Sequence, residues 1–160
     1  MEKVEMNKDM KLSEHFSLAE MTKTSHKTAD GNIPSRVVIE NLRNLCENWL
    51  EDLRYSYNML YHKISPGTPL IINSGYRSPE VNRLAGGAPT SNHLTGCAVD
   101  IRVSGFEQAI RYASILLDIS EGTKRDYDEL FIERNKSGNY WIHFAVRPKN
   151  NRRKSEFIKV

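Results

Sequence analysis

The sequence predicts an α+β fold in which a small, mainly antiparallel sheet packs against helices. Two observations support this: apolar residues recur at helical spacing in two stretches, and two β-prone runs flank a turn near the C-terminus. With 160 residues the chain can form one domain with a hydrophobic core. We expect that domain over residues 12–148, after a flexible arm (1–11) and before a basic tail (149–160).

Helix signals occur at four places. Ser17 and Glu20 have the spacing of a capping box, which predicts a short helix. Residues 34–57 place apolar side chains at steps of three and four, as in a long helix with one buried face. A Ser-Pro pair suited to a helix start precedes 80–85, and a second amphipathic stretch covers 106–117.

Strand signals are short apolar or β-prone runs bounded by turn residues. They cover residues 70–74, 98–103, 128–133 and 140–146. The last two runs flank an Asn-Lys-Ser-Gly sequence, which has turn chemistry, and together they predict a β-hairpin.

Side-chain alternation predicts the register of this hairpin, because a slip of one residue would put charged side chains over the core. The consistent register gives a core face of Leu130, Ile132, Ile142, Phe144 and Val146. The opposite face carries Glu129, Phe131, Glu133, Trp141 and His143. His143 then lies opposite Phe131, and Glu133 is a diagonal neighbour within reach of it.

A metal site is suggested by the stretch from residue 91 to residue 100. His93 and Asp100 lie seven residues apart, and Gly96 allows the chain to turn between them. With His143 from the hairpin, two imidazoles and a carboxylate make the ligand set of a catalytic zinc site. Spacing alone leaves open that these are ordinary surface residues. Cys97 is a soft donor in the same stretch, but its small neighbours favour packing.

Three segments together carry a family resemblance. They are Ser74-Gly75-Tyr76-Arg77-Ser78-Pro79-Glu80-Val81-Asn82, Ser91-x-His93-x-x-Gly96-x-Ala98-x-Asp100, and Trp141-Ile142-His143. In order and linkage they resemble the motifs of the zinc D-alanyl-D-alanine peptidases (peptidase family M15), which share the hedgehog/DD-peptidase fold. The resemblance extends from about residue 12 to about 148. It implies a single zinc DD-peptidase-like domain with one Zn²⁺ held by His93, Asp100 and His143.

The resemblance also implies an activity. The expected function is zinc-dependent hydrolysis of peptidoglycan stem peptides, by a D-Ala-D-Ala carboxypeptidase or a related, endolysin-like endopeptidase. Arg77 matches the family arginine that binds substrate and stabilises the developing oxyanion, work that suits a permanently charged guanidinium. Ser91 matches a family serine near the metal. Tyr76 and Trp141 are candidates for the walls of the substrate cleft.

One position departs from the family pattern. Several members carry the catalytic carboxylate three residues before the last histidine, where this chain has Tyr140. The hairpin register makes Glu133 the predicted general base, with Asp128 and Glu129 as competitors. Asp128 could instead orient a ligand histidine. The missing carboxylate also keeps open a second function, a non-catalytic metal-containing protein of the same fold that binds a cell-wall peptide or a protein partner.

Composition restricts the partners and the compartment. The net charge of +3 is too small to indicate nucleic-acid binding, and no stretch suggests a membrane span or a signal peptide. Nothing in the sequence indicates a particular oligomeric state. The sequence therefore predicts a protein that is cytoplasmic at synthesis. Two alternatives stay open: the protein reaches a wall substrate by a phage-type lysis or virion route, or its substrate is cytoplasmic.

Overall fold

The computed structural model describes residues 10–62 and 67–160, apart from the side chain of His62. Its helices are α1 (Leu18–Met21), α2 (Arg36–Leu45), α3 (Glu51–Tyr57), α4 (Pro79–Leu84) and α5 (Phe106–Thr123). Its strands are β1 (Ile72–Ser74), β2 (Ala98–Arg102), β3 (Glu129–Arg134), β4 (Tyr140–Ala145) and β5 (Lys154–Lys159). Most of the predicted flexible arm (1–11) lies outside the described residues, although Lys11 forms an isolated β-bridge with Ser17.

The five strands form one sheet in the order β1-β2-β4-β3-β5. Neighbouring strands are antiparallel except for β5, which runs parallel to β3. The predicted α+β class with a mainly antiparallel sheet is confirmed. In the part of the chain that the structure describes, no helix combines the length and the apolarity needed to cross a membrane.

The predicted long helix is present but interrupted. It begins at Ser35, whose side chain accepts a hydrogen bond from the Val38 N–H, so residue 34 stands before the cap. A π-helical segment, Cys46–Leu50, separates α2 from α3, and a second one, Asn58–His62, follows α3. The predicted apolar stripe is buried throughout, and Trp49 contacts the Phe144 ring at 5.1 Å between centroids.

The hairpin register is confirmed residue by residue. His143 pairs with Phe131, and the core pairs Leu130–Phe144 and Ile132–Ile142 lie on the opposite face. On β2 the same alternation buries Val99 and Ile101 among helical side chains. The helices therefore cover one face of the central strands, and the other face is left for the polar side chains of β2, β3 and β4.

The prediction of a basic tail over residues 149–160 is wrong for Lys154–Lys159, which form β5 along the edge of the sheet. The two arginines before β5 are also held: Arg152 pairs with Asp128 and Arg153 pairs with Asp126. Charged side chains suit an exposed edge strand, because they discourage further strand pairing. The same charges make such a strand indistinguishable in sequence from a solvated tail.

Candidate metal centre

A tight turn presents the first predicted ligand. Residues Asn92–Thr95 form a 3-10 turn, and the Ser91 hydroxyl at its start accepts a hydrogen bond from the His93 N–H at 3.2 Å. Gly96 ends the turn with φ of +73°, in the left-handed region. A Cβ at Gly96 would come within 2.7 Å of the Val38 carbonyl oxygen, so the position excludes other residues. The chain then enters β2.

The structure brings together the three predicted ligands. Asp100 and His143 are directly paired across β2 and β4, and His143 Nδ1 lies 3.1 Å from Asp100 Oδ1. His93 Nε2 reaches the same oxygen at 3.3 Å. One ligand atom from each residue lies within 4.8 Å of the other two, and all three residues are buried.

These donors fit a zinc ion. A tetrahedral ion bound at 2.0–2.1 Å separates its ligand atoms by about 3.3 Å, which matches both measured distances. The other nitrogen of each imidazole is also engaged. His93 Nδ1 lies 2.7 Å from the Gly75 carbonyl oxygen, and His143 Nε2 lies 3.1 Å from Glu129 Oε1. Such contacts fix the ring orientation and leave one nitrogen of each ring for a metal.

A second group of potential ligands is Glu14, His15 and Glu51. Here hydrogen bonds account for the contacts. Glu51 lies 2.7 Å from His15 Nδ1 and also accepts from the Ser13 hydroxyl. Glu14 and His15 are exposed, so this group ties the N-terminal segment to α3 and lacks the enclosure of the first one.

The pKa values of Asp100 and His143 are shifted by their burial and by their close contacts with neighbouring side chains. Burial alone would raise the pKa of Asp100, but the neighbouring His93 and His143 hold it well below its ordinary value. Burial would lower the pKa of His143, yet its contacts with Asp100 and Glu129 raise it from 6.5 to about 9. Without a metal, the centre is therefore an ion pair of a carboxylate with an imidazolium.

Arg77 lies against the ligand Asp100. Its terminal nitrogen donates to Asp100 Oδ2 at 3.1 Å, and its Nε donates to the Ser74 hydroxyl at 3.0 Å. The Arg77 backbone N–H donates to the His93 carbonyl oxygen at 3.0 Å. The guanidinium thus occupies Asp100 Oδ2 and leaves Oδ1 facing the two imidazoles.

The three candidate carboxylates have different surroundings. Asp128 is fully buried and accepts two side-chain hydrogen bonds from Arg152, at 3.0 and 2.8 Å. Glu129 contacts His143 and accepts from the Asn92 amide at 2.6 Å. Burial raises the pKa of both, but these contacts outweigh it, so each pKa lies below its ordinary value.

Glu133 is set apart from the other two carboxylates. Its pKa is raised, first by burial and then by the negative charge of Asp100, although His143 and the Trp141 side chain oppose the change. Glu133 pairs with Trp141 across the hairpin, on the face that also carries His143. Of the three carboxylates it is the one whose pKa is raised above its ordinary value.

Other predicted site residues have structural contacts. Tyr76 is 8% exposed and packs in the hydrophobic core, which counts against its predicted role in substrate binding. Trp141 is half-buried beside Glu133, and Ser91 caps the turn that carries His93. Cys97 is buried, burial raises the pKa of its thiol, and it lies outside the ligand group, as the packing interpretation expected.

Sequence reasoning missed three residues that support the site. Asn92 connects the His93 turn to Asp128 at 2.8 Å, and Arg147 and Arg152 bind the same carboxylate at 3.1 and 2.8 Å. Asn92 occupies an unspecified position of the motif Ser91-x-His93, so the motif assigns it no function. The two arginines lie beyond β4 in a basic run whose composition resembles that of a solvated segment.

Two concavities border residues near the candidate ligands in the fold. A groove of about 450 Å³ borders Ser91, Asn92 and Arg147, next to the turn that carries His93. A smaller cavity of about 170 Å³ borders Ser74 and Arg77, the residue whose guanidinium donates to Asp100. Neither space is lined by His93, Asp100 or His143; each borders residues that contact these candidate ligands or adjoin them in sequence.

Comparison with known proteins places the chain in a family. The family model described as Peptidase M15 matches residues 14–127, well over half of the chain. The matched range contains Arg77, Ser91, His93 and Asp100 and ends before β3, so the hairpin that supplies His143 lies beyond it. No curated protein matches the chain. Because the family model covers most of the sequence, including two of the three candidate ligands, the chain belongs to the Peptidase M15 family.

Proposed function

We propose that this protein is a zinc-dependent peptidase that hydrolyses peptidoglycan stem peptides at a bond next to a D residue. Family membership supports peptidase activity. The observation that carries the proposal is the meeting of His93, Asp100 and His143 at tetrahedral ligand separations, on the sheet face that also carries Glu133. The substrate class rests on the likeness of the three motifs to those of D-alanyl-D-alanine peptidases.

Zinc in this centre would supply Lewis acidity for both the attacking water and the scissile carbonyl. His93, Asp100 and His143 would hold it. Their outer contacts, with Gly75, Arg77 and Glu129, keep each donor atom directed at the same point.

Proton transfer falls to Glu133. A peptidase base must take a proton from water and later give one to the leaving amine, so a pKa near the working pH is favourable. The raised pKa of Glu133 moves this carboxyl in that direction. Asp128 and Glu129 accept strong hydrogen bonds that keep them ionised, which suits a structural role better.

Arg77 has the position of a substrate-binding group. Three of its five N–H groups face Ser74, Asn82 and Asp100, and their contacts hold the guanidinium in one orientation. A fixed cation beside the metal can bind a peptide oxygen as negative charge develops on it.

The alternative of a non-catalytic binding protein loses its main support. It rested on the absence of a carboxylate at position 140. In this hairpin residue 140 lies on the helix-covered face, where the Tyr140 ring packs 5.3 Å from that of Phe106. A carboxylate there would point away from His143, whereas Glu133 lies on the face that carries His143.

The proposal is tested on purified disaccharide peptides of defined length, with the products identified by liquid chromatography and mass spectrometry. We expect cleavage by the zinc-loaded protein, loss of cleavage after metal removal, and recovery when zinc returns. Free D-alanine would identify a carboxypeptidase and larger fragments an endopeptidase. His93→Ala should be inactive, whereas His15→Ala, which removes an exposed histidine that contacts Glu51, should match wild type. Intact substrates after incubation with zinc-loaded wild type would contradict the proposal.

A further inference from the structure

We propose that the 147–153 loop, which connects β4 to β5, positions the metal centre, and that Arg152 strengthens zinc binding by holding Glu129 against His143. The proposal concerns metal affinity, a property that can be measured without any substrate. It assigns a role to residues that follow the range matched by the family model.

The loop is fastened to Asp128, the residue directly before β3. The Arg152 guanidinium binds both oxygens of Asp128, and the Arg152 backbone N–H donates to Oδ1 at 3.0 Å. Arg147 donates to Oδ2 at 3.1 Å from the other end of the loop. Because the Asp128 side chain is fully buried, it needs these cationic partners, and a bidentate pair is among the strongest that a carboxylate can make.

The same arginine reaches the next carboxylate. Arg152 lies 3.3 Å from Glu129 Oε2, and the Asn92 amide donates to Glu129 Oε1 at 2.6 Å. Glu129 is therefore held from two directions. Asn92 also donates to Asp128 Oδ2 and accepts from Arg147 Nε at 3.1 Å, so the loop contacts the residue that precedes His93.

Glu129, which Arg152 and Asn92 hold in place, contacts the candidate ligand His143. Its Oε1 lies 3.1 Å from His143 Nε2, while His143 Nδ1 faces Asp100. A carboxylate on Nε2 selects the form of the imidazole in which Nδ1 can bind a metal. Phe131 stacks on the His143 ring at 5.3 Å and limits its tilt, so rotation of the ring within its plane is restricted by Glu129 at one nitrogen and Asp100 at the other.

Loss of Arg152 would raise the zinc affinity if only its charge mattered, and would lower the affinity if its contact with Glu129 mattered more. Removal of a positive charge near the centre would by itself favour a divalent cation. Release of Glu129 would loosen His143 and weaken binding, and residues of this outer type typically contribute 10-fold or more to metal affinity. A weaker affinity after loss of Arg152 therefore reports positioning.

The test is a zinc titration of metal-free protein in competition with a chromophoric chelator. We expect Arg152→Gln to bind zinc roughly 10-fold more weakly than wild type. The matched control is Arg153→Gln, which removes the same charge from the next residue. Arg153 pairs with Asp126 and Ser120, away from the ligands, so its loss should leave the affinity unchanged.

A spectroscopic measurement distinguishes a change in ligand geometry from a general loss of stability. The visible absorption of the cobalt(II) form reports the ligand geometry, and we expect it to change in Arg152→Gln and to stay as in wild type in Arg153→Gln. If Arg152→Gln does not fold, Arg152→Lys keeps the charge without the fork and should still bind zinc more weakly. Wild-type affinity and spectrum in a folded Arg152 variant would overturn the proposal, whether or not the protein cleaves any peptide.

Discussion

Glu129 and Glu133 stand two residues on either side of Phe131, on the same face of β3, and both are diagonal neighbours of His143. Alternation along the strand could place them on that face but could not choose between them, because both diagonals are within reach. The choice depends on Asn92 and Arg152, which are distant in sequence and hold Glu129 against the imidazole. Glu133 has no such cationic partner among the described residues and has a raised pKa.

This difference predicts that the same substitution, glutamate to glutamine, has a large effect on zinc affinity at residue 129 and a small one at residue 133. Glu129→Gln should weaken zinc binding 10- to 100-fold, because the amide is a poorer acceptor for the His143 N–H. Glu133→Gln should change the affinity by less than about threefold, because Glu133 contacts none of the ligand nitrogens directly. Competition titrations of both variants measure the contrast. Wild-type zinc affinity in Glu129→Gln would show that Glu129 does not support His143.

Single helices and strands were predicted correctly where local side-chain chemistry or a regular alternation of apolar residues marks them in the sequence. The hairpin register, the capping box of α1 and the cap of α4 all follow from local side-chain chemistry, and the structure confirms them. The π-helical interruption after α2 was missed because its residues continue the apolar stripe without a break. The strand β5 was missed because an exposed edge carries charges and no alternation.

The 3-10 turn that carries His93 depends on Gly96. In Gly96→Ala the new methyl would meet the backbone of α2 and the residue would keep an unfavourable φ. We expect a loss of about 2–4 kcal/mol in the free energy of unfolding, measured by urea titration. Gly122→Ala is the control, because it lies in α5 with nothing within 4 Å and should be neutral or stabilising by up to about 1 kcal/mol. A stable Gly96→Ala protein would contradict the argument.

At the scale of the whole molecule, the metal centre joins parts of the chain that the sequence keeps apart. The three candidate ligands come from the 3-10 turn, from β2 and from β4, and the outer contacts add Gly75 directly after β1, Glu129 of β3 and the 147–153 loop. The motifs predicted the ligands, because their residue types are characteristic. The outer shell could not be predicted, because ordinary Asn and Arg residues acquire their role only through the sheet order β4-β3-β5.

Stability of the metal-free protein should depend on pH through His143. Its pKa is raised from 6.5 to about 9 in the folded state, so its contribution is complete below about pH 6.5 and is lost as the pH rises through about 9. We expect a loss on the order of 1–3 kcal/mol across that interval, measured by urea unfolding at a series of pH values. His143→Gln should be much less sensitive over the same interval. A metal-free wild type equally stable at both limits would contradict the assigned ion pair.

At acidic pH the stability of the metal-free protein should change in the opposite direction, and rise with pH. The pKa values of Asp100, Asp128 and Glu129 are lowered by their partners, so their contributions are present above the ordinary carboxyl range and are lost as the pH falls. Together with His143, they place the stability maximum of the metal-free protein between about pH 5 and pH 7.

The central claim is that the zinc-loaded centre cleaves stem peptides with Glu133 as the proton carrier. Its most direct test is the rate at which zinc-loaded wild type and Glu133→Gln release new amino groups from purified disaccharide peptides, with zinc content measured in both. We expect cleavage by wild type and a rate at least about 100-fold lower in Glu133→Gln at equal zinc content. Equal rates in the two proteins would contradict the role of Glu133, and no release by zinc-loaded wild type would contradict the proposed peptidase activity itself.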